Sequence, residues 1–362
     1  MRPFHNPCEF NTFAQKAMSK MYVLEVSQLE QNTADAVEVS LLIPKHLIST
    51  FQFKAGQYIT LESIINGQAV RRSYSLCAAP HENLIRVGIK KVAGGLFSSF
   101  ANDTLQVGDT LNVGAPEGRF IYLPEKTPIT IAAFAAGSGI TPILSIIKEH
   151  LTAHPKNQFH LVYGNKTPKQ TMFYEPLQNL QANFPTQLSI VWVFSQARED
   201  KALFGRIDAR VVNYYHNQFK ASAEAYYLCG PEGMINTVSQ TLQSGNIATD
   251  KIFTELFFAA TTPVAAASSG EVSITVIHDE MNTTITSKQD ITLLDAALKA
   301  KLDVPYSCKG GVCSSCIARI KMGKAEMQSN QILTDSEVEE GLILTCQALP
   351  QTNELTVDYD DV

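Results

Sequence analysis

The chain has 362 residues, which is well over the length of a typical domain, so we expect two or three units that each bury a core. Hydrophobic residues make up 45% and charged residues 18% of the chain, and this composition excludes a disordered or fibrous protein. The net charge of −6 argues against a nucleic-acid partner, which needs a basic face. The sequence has no apolar run of bilayer length and no secretory signal, so we expect a cytoplasmic protein without membrane insertion.

Charge and cysteine are unevenly distributed along the chain. Residues 271–362 carry 15 acidic and 7 basic residues, a net charge of −8, whereas residues 1–270 carry a net charge of +2. Four of the seven cysteines also lie in the acidic segment. A clustered, odd set of cysteines without a signal peptide indicates metal ligation more than a disulfide framework.

The pattern of elements divides the chain into successive units. After an N-terminal extension (1–19), residues 20–125 show short alternating runs with an Asn66-Gly67 hairpin turn, which is typical of an antiparallel β-barrel. Residues 126–258 alternate strands and helices, which predicts a doubly wound α/β unit. Residues 259–270 are small and aperiodic and are interpreted as a linker to a unit at 271–362.

The cysteine spacing is the strongest chemical signal. Cys308, Cys313 and Cys316 are separated by four and two residues, and Cys346 follows after 29 more. This spacing matches the way in which plant-type ferredoxins hold a [2Fe–2S] cluster. The alternative is a four-cysteine zinc site, although such sites usually supply two close CxxC pairs.

Two motifs in the first unit predict a flavin nucleotide site. Strand alternation places Arg72 and Tyr74 on one face, where a guanidinium suits a phosphate and a ring covers a flat heterocycle. Gly94 and Gly95 then offer exposed amides to a pyrophosphate, and Ser98 is predicted to open a helix. The alternatives are a surface Arg and Tyr and an ordinary glycine turn.

A glycine turn in the second unit predicts a nucleotide-phosphate site. Gly137 and Gly139 follow an apolar strand, and Thr141 and Pro142 begin a helix whose N-terminus attracts an anion. Because the carboxyl ends of parallel strands meet in one crevice, the later Cys229-Gly230-Pro231 turn is expected beside it.

These motifs, in this order, resemble the ferredoxin reductase superfamily. The resemblance covers about residues 20–362 and is carried by RSYS (72–75), GGxxS (94–98), GSGITP (137–142), CGP (229–231) and TELF (254–257). With its C-terminal ferredoxin unit, the chain resembles the iron–sulfur flavoprotein reductases of bacterial oxygenases. Within that group it is most similar to the reductase subunits of phenylacetyl-CoA epoxidases.

The resemblance implies a barrel that binds FAD, an α/β domain that binds the nicotinamide nucleotide, and a ferredoxin domain of the α+β (β-grasp) class. It implies catalytic roles near the flavin and nicotinamide for Tyr74, Ser75, Cys229 and Glu255, with Phe257 at the same strand end. The other implied cofactor contacts are Arg72, Gly94, Gly95, Ser98, Gly137, Gly139, Thr141, Pro142, Gly230, Ser195 and Arg198. In this set Ser195 and Arg198 would bind a 2′-phosphate, which favours NADPH and leaves NADH open because the arginine is displaced by two residues.

The implied activity is an NAD(P)H-dependent oxidoreductase. We expect hydride transfer from NADPH to FAD, single-electron steps to the cluster, and delivery to an oxygenase component of the di-iron type. The phenylacetyl-CoA epoxidase is the favoured acceptor. Reductases of steroid or aromatic-ring hydroxylases, acyl desaturases or hybrid-cluster protein, and a non-enzymatic redox sensor, are the alternatives.

Overall fold

The computed structural model describes residues 20–219, 223–257 and 270–362. The predicted N-terminal extension and residues 259–269 of the predicted linker lie outside these ranges. Within the described residues no helix is long and apolar enough to cross a membrane.

The first sheet is antiparallel and has six strands. Its elements are β1 (Met21–Thr33), β2 (Ala36–Leu42), β3 (Tyr58–Ile65), β4 (Gln68–Ser75), β5 (Ile85–Lys90), α1 (Leu96–Asp103) and β6 (Thr110–Gly114). The strand order is β4-β3-β6-β1-β2-β5, and a bridge between Leu76 and Val87 joins the two edges, so the sheet closes as a barrel.

The hairpin between β3 and β4 sets the register of the strand that carries Arg72 and Tyr74. Asn66 and Gly67 both have positive φ angles, 52° and 77°, as a two-residue hairpin of the I′ type requires. The turn pairs Ile59 with Tyr74, so Tyr74 lies on the strand next to the start of β3.

The second sheet is parallel and has six strands. Its elements are β7 (Thr130–Ala136), α2 (Ile140–Ala153), β8 (Gln158–Asn165), α3 (Tyr174–Asn183), β9 (Leu188–Phe194), β10 (Ala202–Phe204), α4 (Ala209–Phe219), β11 (Ala225–Cys229), α5 (Glu232–Ser244) and β12 (Ile252–Glu255). The strand order β10-β9-β8-β7-β11-β12 reverses direction beside β7, and ligands bind at such a reversal in open α/β sheets.

Helices cover both faces of the parallel sheet because its central strands are apolar throughout. On one face Ile131 and Ala133 of β7 pack in a core with Ile143 of α2. On the other face Phe134 packs with Val212 of α4 and Val238 of α5. The sheet is therefore doubly wound, as the sequence predicts.

The barrel and the parallel sheet share part of their cores. Phe120 and Tyr122, which follow β6, belong to the same buried cluster as α2. Two bonds reinforce the junction: Ser145 donates to the Ala78 carbonyl at 2.6 Å, and Tyr227 donates to the Ile121 carbonyl at 3.1 Å. The two domains are therefore in direct contact through a shared core and two side-chain hydrogen bonds.

The third unit is α+β. Its elements are β13 (Glu271–His278), β14 (Met281–Lys288), α6 (Leu293–Lys299), β15 (Ile317–Met322), β16 (Ala325–Met327), α7 (Asp335–Glu339), β17 (Leu342–Leu344), β18 (Ala348–Pro350) and β19 (Glu354–Asp358). Five strands form a mixed sheet in the order β14-β13-β19-β15-β17, and α6 packs against it through Leu293 and Ala297. The predicted multi-domain fold class is confirmed.

Candidate functional site

A cavity of about 530 Å³ lies where the three domains meet. The barrel contributes Tyr58, Arg72, Ser73, Tyr74, Ser75, Gly88, Lys90, Lys91, Val92, Gly95, Leu96, Phe97 and Ser98. The α/β domain contributes Ser138, Thr141, Glu255, Leu256 and Phe257, and the third domain contributes Cys308, Gly310, Val312 and Cys313. The cavity therefore brings together residues from all three of the motif groups that the sequence singles out.

The barrel wall combines a cation, a ring and a hydroxyl on one strand. Arg72 and Tyr74 both line the cavity, as strand alternation predicts, and the Tyr74 ring lies 5.6 Å from the Phe97 ring. Ser75 is 4% exposed and donates a hydrogen bond to Glu255. These residues offer a charge for a phosphate and an aromatic surface for a flat ring system.

The glycine pair lies between this cavity and a second one. The second cavity, of about 510 Å³, is lined by Ile64, Ile65 and Phe100 and shares Gly95 and Leu96 with the first. Gly94 has a φ of +75°, which favours glycine. Two adjacent cavities that share Gly95 and Leu96 fit an elongated dinucleotide flavin, FAD, better than a mononucleotide.

Ser98 does not open the helix, and this differs from the sequence prediction. The helix α1 begins at Leu96, because Gly95 is its N-cap residue. Ser98 lies inside the first turn, where its hydroxyl oxygen accepts a bond from the Val92 amide at 3.1 Å. The Ser98 side chain thus connects the first turn of the helix to Val92, at the start of the loop that contains the glycine pair.

The nucleotide-phosphate turn packs directly against the second glycine turn. A Cβ atom on Gly139 would lie 2.2 Å from the Cys229 carbonyl oxygen, so only glycine fits there. Gly137 has a φ of +56°, and its carbonyl accepts a bond from the Tyr163 hydroxyl at 2.8 Å. Residues 137–142 therefore pack against Cys229 and Gly230. The predicted phosphate turn lies at the N-terminus of helix α2, which attracts anions.

Cys229 itself is fully buried and does not line the cavity. At this side of the crevice the cavity is lined by Ser138, Thr141 and Glu255. Burial raises the pKa of the Cys229 thiol well above its usual range, and Glu255 raises it further. The role of Cys229 beside the nicotinamide stays a prediction.

Burial also raises the pKa of Glu255 to about 8, and the bond from Ser75 only partly offsets this. A carboxyl group that keeps its proton near neutral pH, and that faces a cofactor cavity, is suited to hydrogen-bond a cofactor atom.

Ser195 and Arg198 lie at the end of β9, away from the cavity lining. The Ser195 amide donates to the Asn165 carbonyl at 3.0 Å, which brings the loop after β9 beside the loop after β8. The Arg198 guanidinium lies 4.3 Å above the Phe204 ring, and the side chain is exposed. Their predicted contact with a 2′-phosphate stays a prediction.

The four C-terminal cysteines converge. The Cys308 thiol contacts those of Cys313 and Cys346, and Cys346 also contacts Cys316. In the part of the chain that the structure describes, no three cysteine sulfurs lie within 4.8 Å of one another. Four thiolates on one zinc ion are each about 3.8 Å apart, given Zn–S bonds of about 2.3 Å. In this structure the thiols are spread more widely than that, as the ligands of a two-iron cluster are.

Backbone donors and a side-chain amide surround these thiols. The Gly310 amide donates to Cys308 Sγ at 3.3 Å, as the small residues of the loop predict. Gln347 lies beside Cys346 and donates to the Lys309 carbonyl at 3.0 Å, so it ties the distant fourth cysteine to the loop. Gly311 has a φ of +71° where this loop turns.

Sequence reasoning misses several residues of the site, including Tyr58, Gly88 and Glu117. Tyr58 begins β3 and lines the cavity, and a Cβ on Gly88 would lie 3.0 Å from the Thr141 side chain, where the domains meet. Glu117 lies between the barrel and the cysteine loop, and burial raises its pKa to about 7. None of them belongs to a local motif, because their partners lie in other domains.

Three family models match successive parts of the chain. An oxidoreductase FAD-binding domain matches residues 23–122, an oxidoreductase NAD-binding domain matches 134–240, and a 2Fe-2S iron-sulfur cluster binding domain matches 276–351. These matches agree with the three cofactors predicted from the motifs.

Similarity to characterised relatives extends over the full chain. The chain is 36% identical to one of the subunits of 1,2-phenylacetyl-CoA epoxidase of Escherichia coli (strain K12), over 95% of this chain and 99% of that protein. The chain belongs to the family of oxygenase reductases with FAD-binding, NAD-binding and 2Fe-2S domains. Another member is the ferredoxin reductase component of 3-ketosteroid-9-alpha-monooxygenase from Rhodococcus rhodochrous, at 31% identity over 94% of this chain and 97% of that protein.

The fold of this oxygenase reductase matches that of a solved structure. Phthalate dioxygenase reductase is described as a modular structure for electron transfer from pyridine nucleotides to [2Fe-2S]. It superposes with a TM-score of 0.61 at 24% identity, covering 93% of this chain and 98% of that one. This fold agrees with the FAD-binding, NAD-binding and 2Fe-2S domains that the family models match in the oxygenase reductase.

Proposed function

We propose that this oxygenase reductase takes electrons from NADPH and delivers them to an epoxidase that acts on phenylacetyl-CoA. The observation that carries the proposal is the 36% identity with the phenylacetyl-CoA epoxidase component of Escherichia coli along nearly the whole of both chains. The meeting of barrel strand, nucleotide turn and cysteine loop at one cavity supports the electron-transfer part.

When bound, a flavin supplies the conversion between two-electron and one-electron chemistry that links a nicotinamide to an iron–sulfur cluster. The residues of the chain bind and orient these groups. Arg72, which lines the cavity, would bind a flavin phosphate, and Tyr74 and Phe257 present rings to the cavity. Burial favours the protonated form of Glu255 at the cavity wall, and Leu256 and Val312 add apolar side chains to the lining.

The acidic third domain supports a protein acceptor with a basic docking face. Its net charge of −8 contrasts with +2 on the rest of the chain. Complementary charge of this kind accelerates association and makes the on-rate sensitive to salt. We propose that the acceptor is the di-iron oxygenase component.

A 3-ketosteroid monooxygenase is the second candidate for the electron acceptor. The similarity to the 3-ketosteroid-9-alpha-monooxygenase reductase component also spans nearly the full length of both chains. Because the chain aligns along nearly the whole of both relatives, the two proposals differ only in the protein that accepts the electrons.

A spectroscopic and kinetic experiment tests the reductase activity. The purified protein should show flavin bands over a broad iron–sulfur absorption, and should reduce cytochrome c with NADPH. A colourless protein that contains zinc would contradict the proposal.

Reconstitution tests the acceptor. The purified reductase is mixed with NADPH, oxygen and either phenylacetyl-CoA epoxidase or a ketosteroid monooxygenase component, each with its own substrate. The proposal expects phenylacetyl-CoA to be consumed faster than the steroid, with a rate that falls as salt is raised. Turnover with the steroid system alone would support the second acceptor.

A further inference from the structure

A chain of hydrogen bonds joins the barrel to the cysteine loop. The Tyr58 hydroxyl lies 3.0 Å from Ser315 Oγ, and the Ser315 hydroxyl donates to Glu117 Oε1, also at 3.0 Å. Tyr58 is 5% and Ser315 3% exposed, so water is largely excluded from this contact. We call Tyr58, Glu117 and Ser315 the loop clamp.

The barrel holds its half of the loop clamp rigidly. The backbones of Tyr58 and Glu117 exchange two hydrogen bonds of 2.9 Å each, which places both side chains at one edge of the barrel. Gly118 follows directly, and a Cβ there would lie 2.9 Å from the Tyr58 ring. The ring is therefore packed on the backbone beside Glu117, and the acceptor is preorganised before the loop contacts it.

The loop half of the clamp lies between two predicted cluster ligands. Ser315 stands between Cys313 and Cys316 in the sequence, and its hydroxyl lies 3.6 Å from Cys313 Sγ. A movement of Ser315 thus carries the ligands with it.

The barrel also contacts the cysteine loop through a bond between the Ser73 and Ser307 hydroxyls, whereas its ion pairs with the third domain are more exposed. Arg119 pairs with Glu337 at 2.6 Å, but Arg119 is 48% exposed. Arg71 lies over the Tyr306 ring at 4.8 Å, and its ion pair with Asp303 involves a carboxylate that is 77% exposed. Exposed ion pairs contribute little, whereas a shielded bond to a carboxyl group contributes more.

We propose that Glu117 is a positioning residue that acts through Ser315 to hold the cysteine loop against the flavin cavity. The effect is on the passage of electrons from flavin to cluster, because small displacements of reacting groups have large effects on rate. This proposal rests on the electron-transfer part of the proposed function and is independent of the acceptor.

Hydrogen exchange of the full-length holoprotein measures the clamp directly. Peptides covering residues 307–317 are compared between wild type, Glu117→Ala, Glu117→Gln and the control Glu30→Ala on the exposed face of β1. Loss of the bond in Glu117→Ala should raise exchange about tenfold, the factor that loss of one shielded hydrogen bond to a carboxyl group corresponds to. Glu117→Gln keeps an oxygen acceptor and should restore protection, and Glu30→Ala should have no effect.

Kinetics provide the second measurement. Cytochrome c reduction, which needs the cluster, should fall in Glu117→Ala relative to ferricyanide reduction by the flavin, and KM for NADPH should not change. Unchanged exchange in Glu117→Ala, or an equal fall with both electron acceptors, would overturn the proposal.

Ser315→Ala removes the same bond by removing its donor. It replaces Glu117→Ala as the test variant if Glu117→Ala loses its cluster absorption. Because Ser315→Ala also removes the contact with Tyr58, it should raise exchange by at least the same factor, and adding Glu117→Ala to it should raise exchange no further. Wild-type exchange in Ser315→Ala would overturn the proposal. A wild-type protein that reduces neither acceptor would contradict the proposed function, and the exchange comparison would still test the clamp.

Discussion

The Ser75 hydroxyl donates a hydrogen bond of 3.4 Å to the Glu255 carboxyl group. Ser75 ends β4 of the barrel and Glu255 ends β12 of the parallel sheet, so this bond connects two domains at the wall of the cavity. The same placement removes Glu255 from water and raises its pKa from 4.5 to about 8.

The raised pKa of Glu255 predicts a pH-dependent stability. Between its ordinary pKa of 4.5 and about 8, the folded protein holds a proton at Glu255 that the unfolded chain has lost. The free energy of unfolding therefore falls as pH rises through this window. Glu255→Gln removes this dependence. The difference in Tm between Glu255→Gln and wild type should therefore increase, in favour of the variant, from pH 5 to pH 9. Thermal unfolding followed by flavin fluorescence measures both Tm values.

The control is Glu175→Gln, on the exposed side of α3, whose Tm should stay parallel to that of wild type. If the Glu255→Gln and wild-type curves also run parallel, Glu255 titrates in its ordinary range.

Local patterns predict those parts of the fold that depend on neighbours in the sequence. The apolar strand β7, the Gly137 turn and the start of α2 follow from periodicity and glycine placement, as does the hairpin at Asn66-Gly67. The cysteine spacing likewise predicts which thiols converge, because ligand geometry limits the loop between them.

Contacts between domains do not follow from local patterns. Tyr58 and Ser315 are 257 residues apart, and nothing in either segment indicates the other. The full burial of Cys229 depends on how Gly139, in the turn after β7, packs over it. Helix α3 also has a weak sequence signal, because Tyr174–Asn183 buries only Leu177 fully and so has a weak apolar stripe.

Removal of a predicted cluster ligand should separate the two electron acceptors. Cys313→Ser lacks the thiol that contacts Cys308, so cytochrome c reduction should fall. The fall should be at least about a hundredfold, because substitutions of residues that only surround metal ligands already cost up to about that much. Ferricyanide reduction by the flavin should persist. Lys309→Ala, in the same loop but paired with exposed Asp295, is the matched control and should retain both activities. Equal loss of both activities in Cys313→Ser would contradict the proposed electron order.

Two glycine substitutions in the α/β domain should have opposite effects on stability. Gly139→Ala places a Cβ 2.2 Å from the Cys229 carbonyl, and this overpacking should cost about 1–3 kcal/mol. In Gly233→Ala, in the first turn of α5, the new Cβ meets nothing within 4 Å, and the change should stabilise by about 0.4–1 kcal/mol. Denaturant unfolding measures both. A neutral Gly139→Ala would show that the turn after β7 relaxes freely.

Arg198 should set the preference between the two nicotinamide nucleotides. Its guanidinium stacks over Phe204 beside Ser195, and a charge-assisted bond to a 2′-phosphate contributes about 1.5–3 kcal/mol. Arg198→Ala should therefore raise KM for NADPH about tenfold or more and leave KM for NADH unchanged, since NADH lacks that phosphate. Arg210→Ala is the control, because Arg210 is 91% exposed and pairs with Asp208. An equal rise in KM for both nucleotides would place Arg198 outside the 2′-phosphate site and would favour NADH as the natural donor.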